Sequence, residues 1–158
     1  MRDEINNGEQ YSRLHNLEIH GLPMLPDENL TQRISDLATK LELANFDAKD
    51  ILAVHRLPAK PGFIPIVLIK FSTKQVKDCW LSARGKLRQL IQAGTVPKLF
   101  FNDNLTKQNR ELFWMVSERA EEKQYKFTWV KNGKIFAKKN EGSSLLRIYR
   151  VADLNTIV

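Results

Sequence analysis

Residues 125–139 read YKFTWVKNGKIFAKK. Asn132-Gly133 sits between two runs of β-branched and aromatic residues, the strongest short-range signal for a hairpin closed by a two-residue type I′ turn. Both central positions of that turn need positive φ, which Asn and Gly tolerate. The turn sets the register: Lys131 opposite Lys134, Val130 opposite Ile135, Trp129 opposite Phe136, Thr128 opposite Ala137 and Phe127 opposite Lys138. Alternation along a strand then sorts the side chains. One face carries Phe127, Trp129, Lys131, Lys134, Phe136 and Lys138; the other carries Thr128, Val130, Ile135 and Ala137. The second set is small and uncharged, suited to packing on a helix. The first admits two readings. Exposed, it is a stacking platform with cationic anchors; buried, its rings are core and its lysines decorate the tip.

Charge extends the pattern outward. Residues 123–150 hold eight basic side chains against one acid, Glu141, so this stretch alone carries the +7 net charge of the chain. Cations attract phosphate and flat rings stack on bases, so the cluster predicts a nucleic-acid surface. Its candidate contacts are Lys126, Lys131, Lys134, Lys138, Lys139, Arg147 and Arg150, with the rings of Phe127, Trp129 and Phe136. Lysine dominates and acts as a point charge, which favours sequence-tolerant holding. Residues 1–103 carry fourteen basic and twelve acidic side chains, so most of that surface is expected to be mixed and solvated. The denser ARGKLR stretch at 83–88 adds Arg84, Lys86 and Arg88 as candidate phosphate contacts.

At 158 residues and 42% hydrophobic content the chain can build a real core, as one domain or two small ones. No apolar run reaches membrane-spanning length, and the polar N-terminus does not read as a signal peptide. A single cysteine, Cys79, excludes an internal disulfide and a cysteine-rich zinc site. It lies in a helical pattern and is expected to be a small buried residue in a reducing, intracellular setting. The histidines are His15, His20 and His55, with His20 and His55 expected on neighbouring strands. None belongs to an HExxH motif, and no GxSxG, P-loop or GxGxxG pattern is present. No catalytic residue, metal or cofactor is assigned, and an enzyme is not expected.

Along the chain, a short strand at 17–20 is stopped by Gly21 and Pro23. Asn29 with Gln32 predicts a capped helix bearing Leu30, Ile34, Leu37, Ala38 and Leu41. Strands follow at 51–57 and 64–71, then one helix over 73–92 carrying Val76, Trp80, Leu87, Leu90 and Ile91 and closed by Gly94, then a strand at 98–102. Trp80 and Trp114 are each expected in the core. The order strand, helix, strand, strand, helix, strand is that of a ferredoxin-like split βαβ domain, an α+β fold shared by RNA recognition motifs and many unrelated proteins. A second unit begins with a helix capped by Thr106, continues through the hairpin and a strand at 145–149, and ends in a helical turn at 153–158.

The segments YSRLHNLEIHGLP (11–23), HRLP (55–58), NDNLT (102–106) and YKFTWVKNGKIFAKK resemble two linked families. One is the first open-reading-frame protein of LINE-type (non-LTR) retrotransposons; the other is the baculovirus few-polyhedra (FP) protein family. The resemblance runs from about Tyr11 to Leu154. It implies the end of an upstream coiled coil over 1–12, an RNA-recognition-motif-like domain over 13–103 and a small basic helix-plus-hairpin domain over 104–158. It also implies a homo-trimeric binder and chaperone of single-stranded RNA or DNA in a ribonucleoprotein particle of the cytoplasm, with the nucleus as a further location, and adds Arg13 and Arg56 to the binding surface.

The sequence departs from an ordinary RNA reader. Aligned to the stacking strands, it places Glu18, Ile66 and Leu68 where aromatic side chains would hold bases. Base-specific readout on that sheet is not expected. The rival readings are a protein-interaction adaptor and an FP-type viral protein without strong nucleic-acid binding.

Overall fold

The structure, a computed structural model, describes residues 2–158. The chain divides into two compact units, His15–Asn104 and residues 2–14 with Leu105–Val158. It is α+β with two antiparallel sheets. The N-terminal helix α1 (Arg2–Ser12) belongs to the second unit.

The His15–Asn104 unit contains β1 (Asn16–His20), α2 (Leu30–Lys40), β2 (Ile51–Arg56), β3 (Val67–Phe71), α3 (Lys74–Ser82), α4 (Arg84–Gln92) and β4 (Phe100–Asp103). The sheet order is β2-β3-β1-β4 and every neighbouring pair is antiparallel. Leu17, Ile19, Val67, Ile69, Phe71 and Phe101 point from the sheet into a core completed by Ile34, Leu37, Trp80 and Leu87. Trp80 is fully buried, with the rings of Phe46, Phe71 and Phe101 at 5.5–5.8 Å. Burial of each such side chain contributes roughly 1.5–3 kcal/mol.

Three local expectations change. The helix over 73–92 is two helices broken at Ala83, whose ψ is +4° and whose N–H bonds back to Cys79 and Trp80. Gly85 in the next turn weakens helix propensity at that point. Pro65 cannot donate a ladder hydrogen bond, so β3 starts at Val67 rather than 64. Cys79 is exposed, not buried, because the α3 face that carries Trp80 takes the core.

Charge is also buried here. Lys77 on α3 lies 2.9 Å from Asp103 on β4, and their side chains are 1% and 5% exposed. On the opposite face of the sheet, Glu18 accepts from Asn104 at 2.7 Å and pairs with His20 at 2.8 Å, while Asn16 donates to Asn104. His55 sits opposite Leu68 on β2, with β3 between it and the strand of His20, so the two histidines are not on neighbouring strands.

In the other unit, α5 (Lys107–Glu122) precedes β5 (Phe127–Lys131), β6 (Lys134–Lys138) and β7 (Leu146–Ile148), and a 3-10 turn, Val151–Thr156, follows. Thr106 caps α5 by accepting from the Asn109 N–H. The core joins Leu112, Val116 and Ala120 of α5 to Ile135, Ala137, Ile148 and Ile157. Trp114 is on the outer side of α5, 63% exposed, against the expectation of burial. The helical stripe that packs is Leu112, Val116 and Ala120, and Trp114 falls off it.

Helix α1 is tied to this unit through polar groups. Asn6 donates to Asn109 at 2.9 Å and accepts from the Thr106 hydroxyl at 2.7 Å. Gln10 accepts from the Thr106 N–H and the Asn109 amide. Helix α1 groups with Leu105–Val158, and its buried positions, Asn6 and Gln10, are amides that satisfy the start of α5.

Candidate functional site

The hairpin has the register its turn demands, from Phe127 opposite Lys138 to Lys131 opposite Lys134. Asn132 and Gly133 have φ of +53° and +74°, as a type I′ turn requires. A Cβ at Gly133 would run into the Gln10 side chain, so the tip needs glycine twice over.

This register separates the two faces. Ile135 and Ala137 are buried against α5, with Val130 packed beside them. The rings of Phe127, Trp129 and Phe136 lie on the face turned away from α5 and outside that core. Trp129 and Phe136 stack across the strands, centroids 5.5 Å apart and planes inclined by 20°. Arg147 on β7 pairs with Phe136, so Trp129, Phe136 and Arg147 form one row across three strands.

The cations differ in how far the fold employs them. Lys131 and Lys134 are exposed and Lys138 half-buried, and none has a carboxylate partner among the described residues. Lys126 pairs with Glu141 at 3.0 Å, an exposed contact worth less than about 1 kcal/mol, and lies over the Phe127 ring. Lys139 donates to the Val158 carbonyl and lies over Tyr125. The Arg147 guanidinium lies 4.0 Å from the Tyr149 ring centroid, and its Nε is buried without a hydrogen-bond acceptor among the described residues. Beside it a polar cavity of about 160 Å³ is lined by Lys134, Arg147, Tyr149 and Arg150, with Asp3 and Asn7 from α1. Tyr149 is 59% exposed. Its place in the site depends on the pairing of β7, which a turn at 132–133 does not specify.

The arginines and lysine proposed outside the hairpin are mostly committed to structure. Arg13 pairs with Glu9 and donates to the Leu105 carbonyl. Arg56 is nearly enclosed: it grips Glu28 with two hydrogen bonds of 2.8 and 2.9 Å and donates to the carbonyls of Leu22, Pro23 and Pro65. It is therefore a structural clamp, not an available phosphate contact. The Arg56 hydrogen bonds hold the Glu28 carboxyl down to about 2, with Arg33 adding to the effect against the cost of burial. Arg84 donates twice to the Phe101 carbonyl, at 2.6 and 3.0 Å, and burial pulls its guanidinium below the ordinary value while Asp103 opposes the change. Lys86 lies 3.6 Å from Glu42. Of that cluster only Arg88 is exposed without an ion-pair partner among the described residues.

Part of the unit that carries this cationic, ringed sheet is similar to a known family. Residues 106–158 match the family described as baculovirus FP protein domain 2. The matched residues span α5, all three strands of the second sheet and the closing 3-10 turn, so the platform and its helical support both lie inside the match. No curated protein matches the chain.

Proposed function

We propose that this protein binds single-stranded RNA or DNA without strong sequence preference, as a holding and chaperone component of a retrotransposon-type ribonucleoprotein. The observation that carries the reading is the row Trp129–Phe136–Arg147 on the sheet face away from α5, flanked by the ammonium groups of Lys131, Lys134 and Lys138, which have no carboxylate partner among the described residues. Rings give sequence-tolerant stacking, and lysines give phosphate contact without a fixed hydrogen-bond pattern. The buried Arg147 Nε has no acceptor among the described residues, and a phosphate oxygen would supply one. On the other sheet, a buried Glu18 bonded to Asn104 and His20 stands where an RNA reader presents a ring, which favours loose binding over readout. The likeness to LINE-type first open-reading-frame proteins supports the same reading and extends it to a homo-trimer assembled through an upstream coiled coil.

Fluorescence anisotropy with a labelled single-stranded oligonucleotide tests it. Log affinity is expected to fall linearly with log salt, with a slope of roughly −0.7 per phosphate engaged. Salt-independent binding, or none at low ionic strength, overturns the proposal.

A further inference from the structure

The His15–Asn104 unit carries a groove of about 360 Å³ along the free edge of β4, between that strand and α4. Its walls are Leu87, Ile91, Leu99 and the half-exposed ring of Phe100, while Arg88 and Lys98 stand at its rim. No acidic residue lines it. Lys98 lies over the Phe100 ring at 5.8 Å, and neither Lys98 nor Arg88 has a carboxylate partner among the described residues. Arg84 stands one helical turn before Arg88, so two like charges share this face.

We infer that this groove docks a short acidic peptide segment, an apolar side chain entering between α4 and β4 and flanking carboxylates meeting Arg88 and Lys98. The floor is largely aliphatic, so it suits a Leu, Met or Phe side chain better than a base, whose polar edges need partners. The charges are complementary: an apolar slot with two unpaired cations at its mouth and no carboxylate favours an anionic partner. Docking is through side chains and not by strand addition, because the Phe101 carbonyl on this edge strand already accepts two hydrogen bonds from Arg84.

The test uses the full chain and a fluorescein-labelled peptide holding a Leu-Phe pair between Asp-Glu flanks, against a control with Asn-Gln flanks. Saturable binding of the acidic peptide is expected, with amide shifts concentrated at Ile91, Leu99 and Phe100 and binding to the control at least about tenfold weaker. Arg88→Glu combined with Lys98→Glu changes exposed residues only, so the fold should persist by circular dichroism while peptide binding is lost. Phe100→Ala, also exposed, should weaken binding without touching the rim charges. Equal affinity for the two peptides, indifference to charge reversal, or shifts mapping elsewhere overturns the inference. A single-stranded oligonucleotide that gives the same shifts more tightly also overturns it and reassigns the groove to nucleic acid.

Discussion

Trp129 and Phe136 stack across the β5–β6 hairpin with ring centroids 5.5 Å apart, on the side of the sheet that α5 does not cover. The core of this unit is built from the other side of the same strands, by Ile135 and Ala137. The proposed binding surface and the packed core therefore lie on opposite faces of one ribbon, and substitutions separate them.

Trp129→Ala should cost roughly 1–3 kcal/mol of single-strand affinity if the ring stacks on a base. Its folding cost should be about 0.5–1.5 kcal/mol, the contribution of the Phe136 contact. Parallel anisotropy titrations and thermal melts check this. Loss of cooperative unfolding would mean that the ring is core after all.

Replacing Lys131, Lys134 and Lys138 together by Ala should weaken binding to all sequences alike. The salt slope should flatten by about 2, three phosphates at roughly 0.7 each on a single strand. A slope equal to that of the unaltered chain would show that these ammonium groups make no phosphate contact.

Lys77→Met should destabilise the protein, by up to roughly 3–5 kcal/mol, since it takes a buried ammonium from Asp103 in a nearly dry site where Arg84 is still near. Adding Asp103→Leu should recover part of the loss by removing the carboxylate that Lys77 balanced. Urea unfolding of the single and double variants measures the difference; additive losses would argue against a shared, buried pair.

Glu28 makes stability depend on acid. Its folded carboxyl is held at about 2 against an ordinary value of 4.5, so its contribution is fully present above about 4.5 and fades as pH falls toward 2. Thermal melts across that window should show Tm dropping more steeply in the natural chain than in Glu28→Gln, which lacks the titrating group. Parallel Tm curves would remove Glu28 from the acid transition.

Thr106→Ala removes both the cap of α5 and the donor to Asn6. A loss of about 1–2 kcal/mol is expected, and amide exchange should rise in α1 and the first turn of α5 together. Faster exchange in α5 alone would mean that α1 is held by other contacts.

Much of this was legible in the chain. Asn132-Gly133 determined the hairpin and its register, because a two-residue turn with positive φ at both positions leaves one pairing open. The alternation of Phe127, Trp129 and Phe136 against Val130, Ile135 and Ala137 followed from strand geometry, and the caps at Asn29 and Thr106 from their own side chains. These are local rules, acting over a few residues.

Tertiary structure decided which of two faces is covered and which cations are spent. Periodicity could not say that Trp80 turns inward and Trp114 outward, since each lies on an amphipathic helix and only the packed partner distinguishes the sides. Nor could it say that Arg56 would close on Glu28, 28 residues away, or that Arg84 would cap the Phe101 carbonyl. A guanidinium reads the same in sequence whether it meets solvent, a carboxylate or a main-chain oxygen. Its fate is set by burial and by partners that only the folded chain brings within reach.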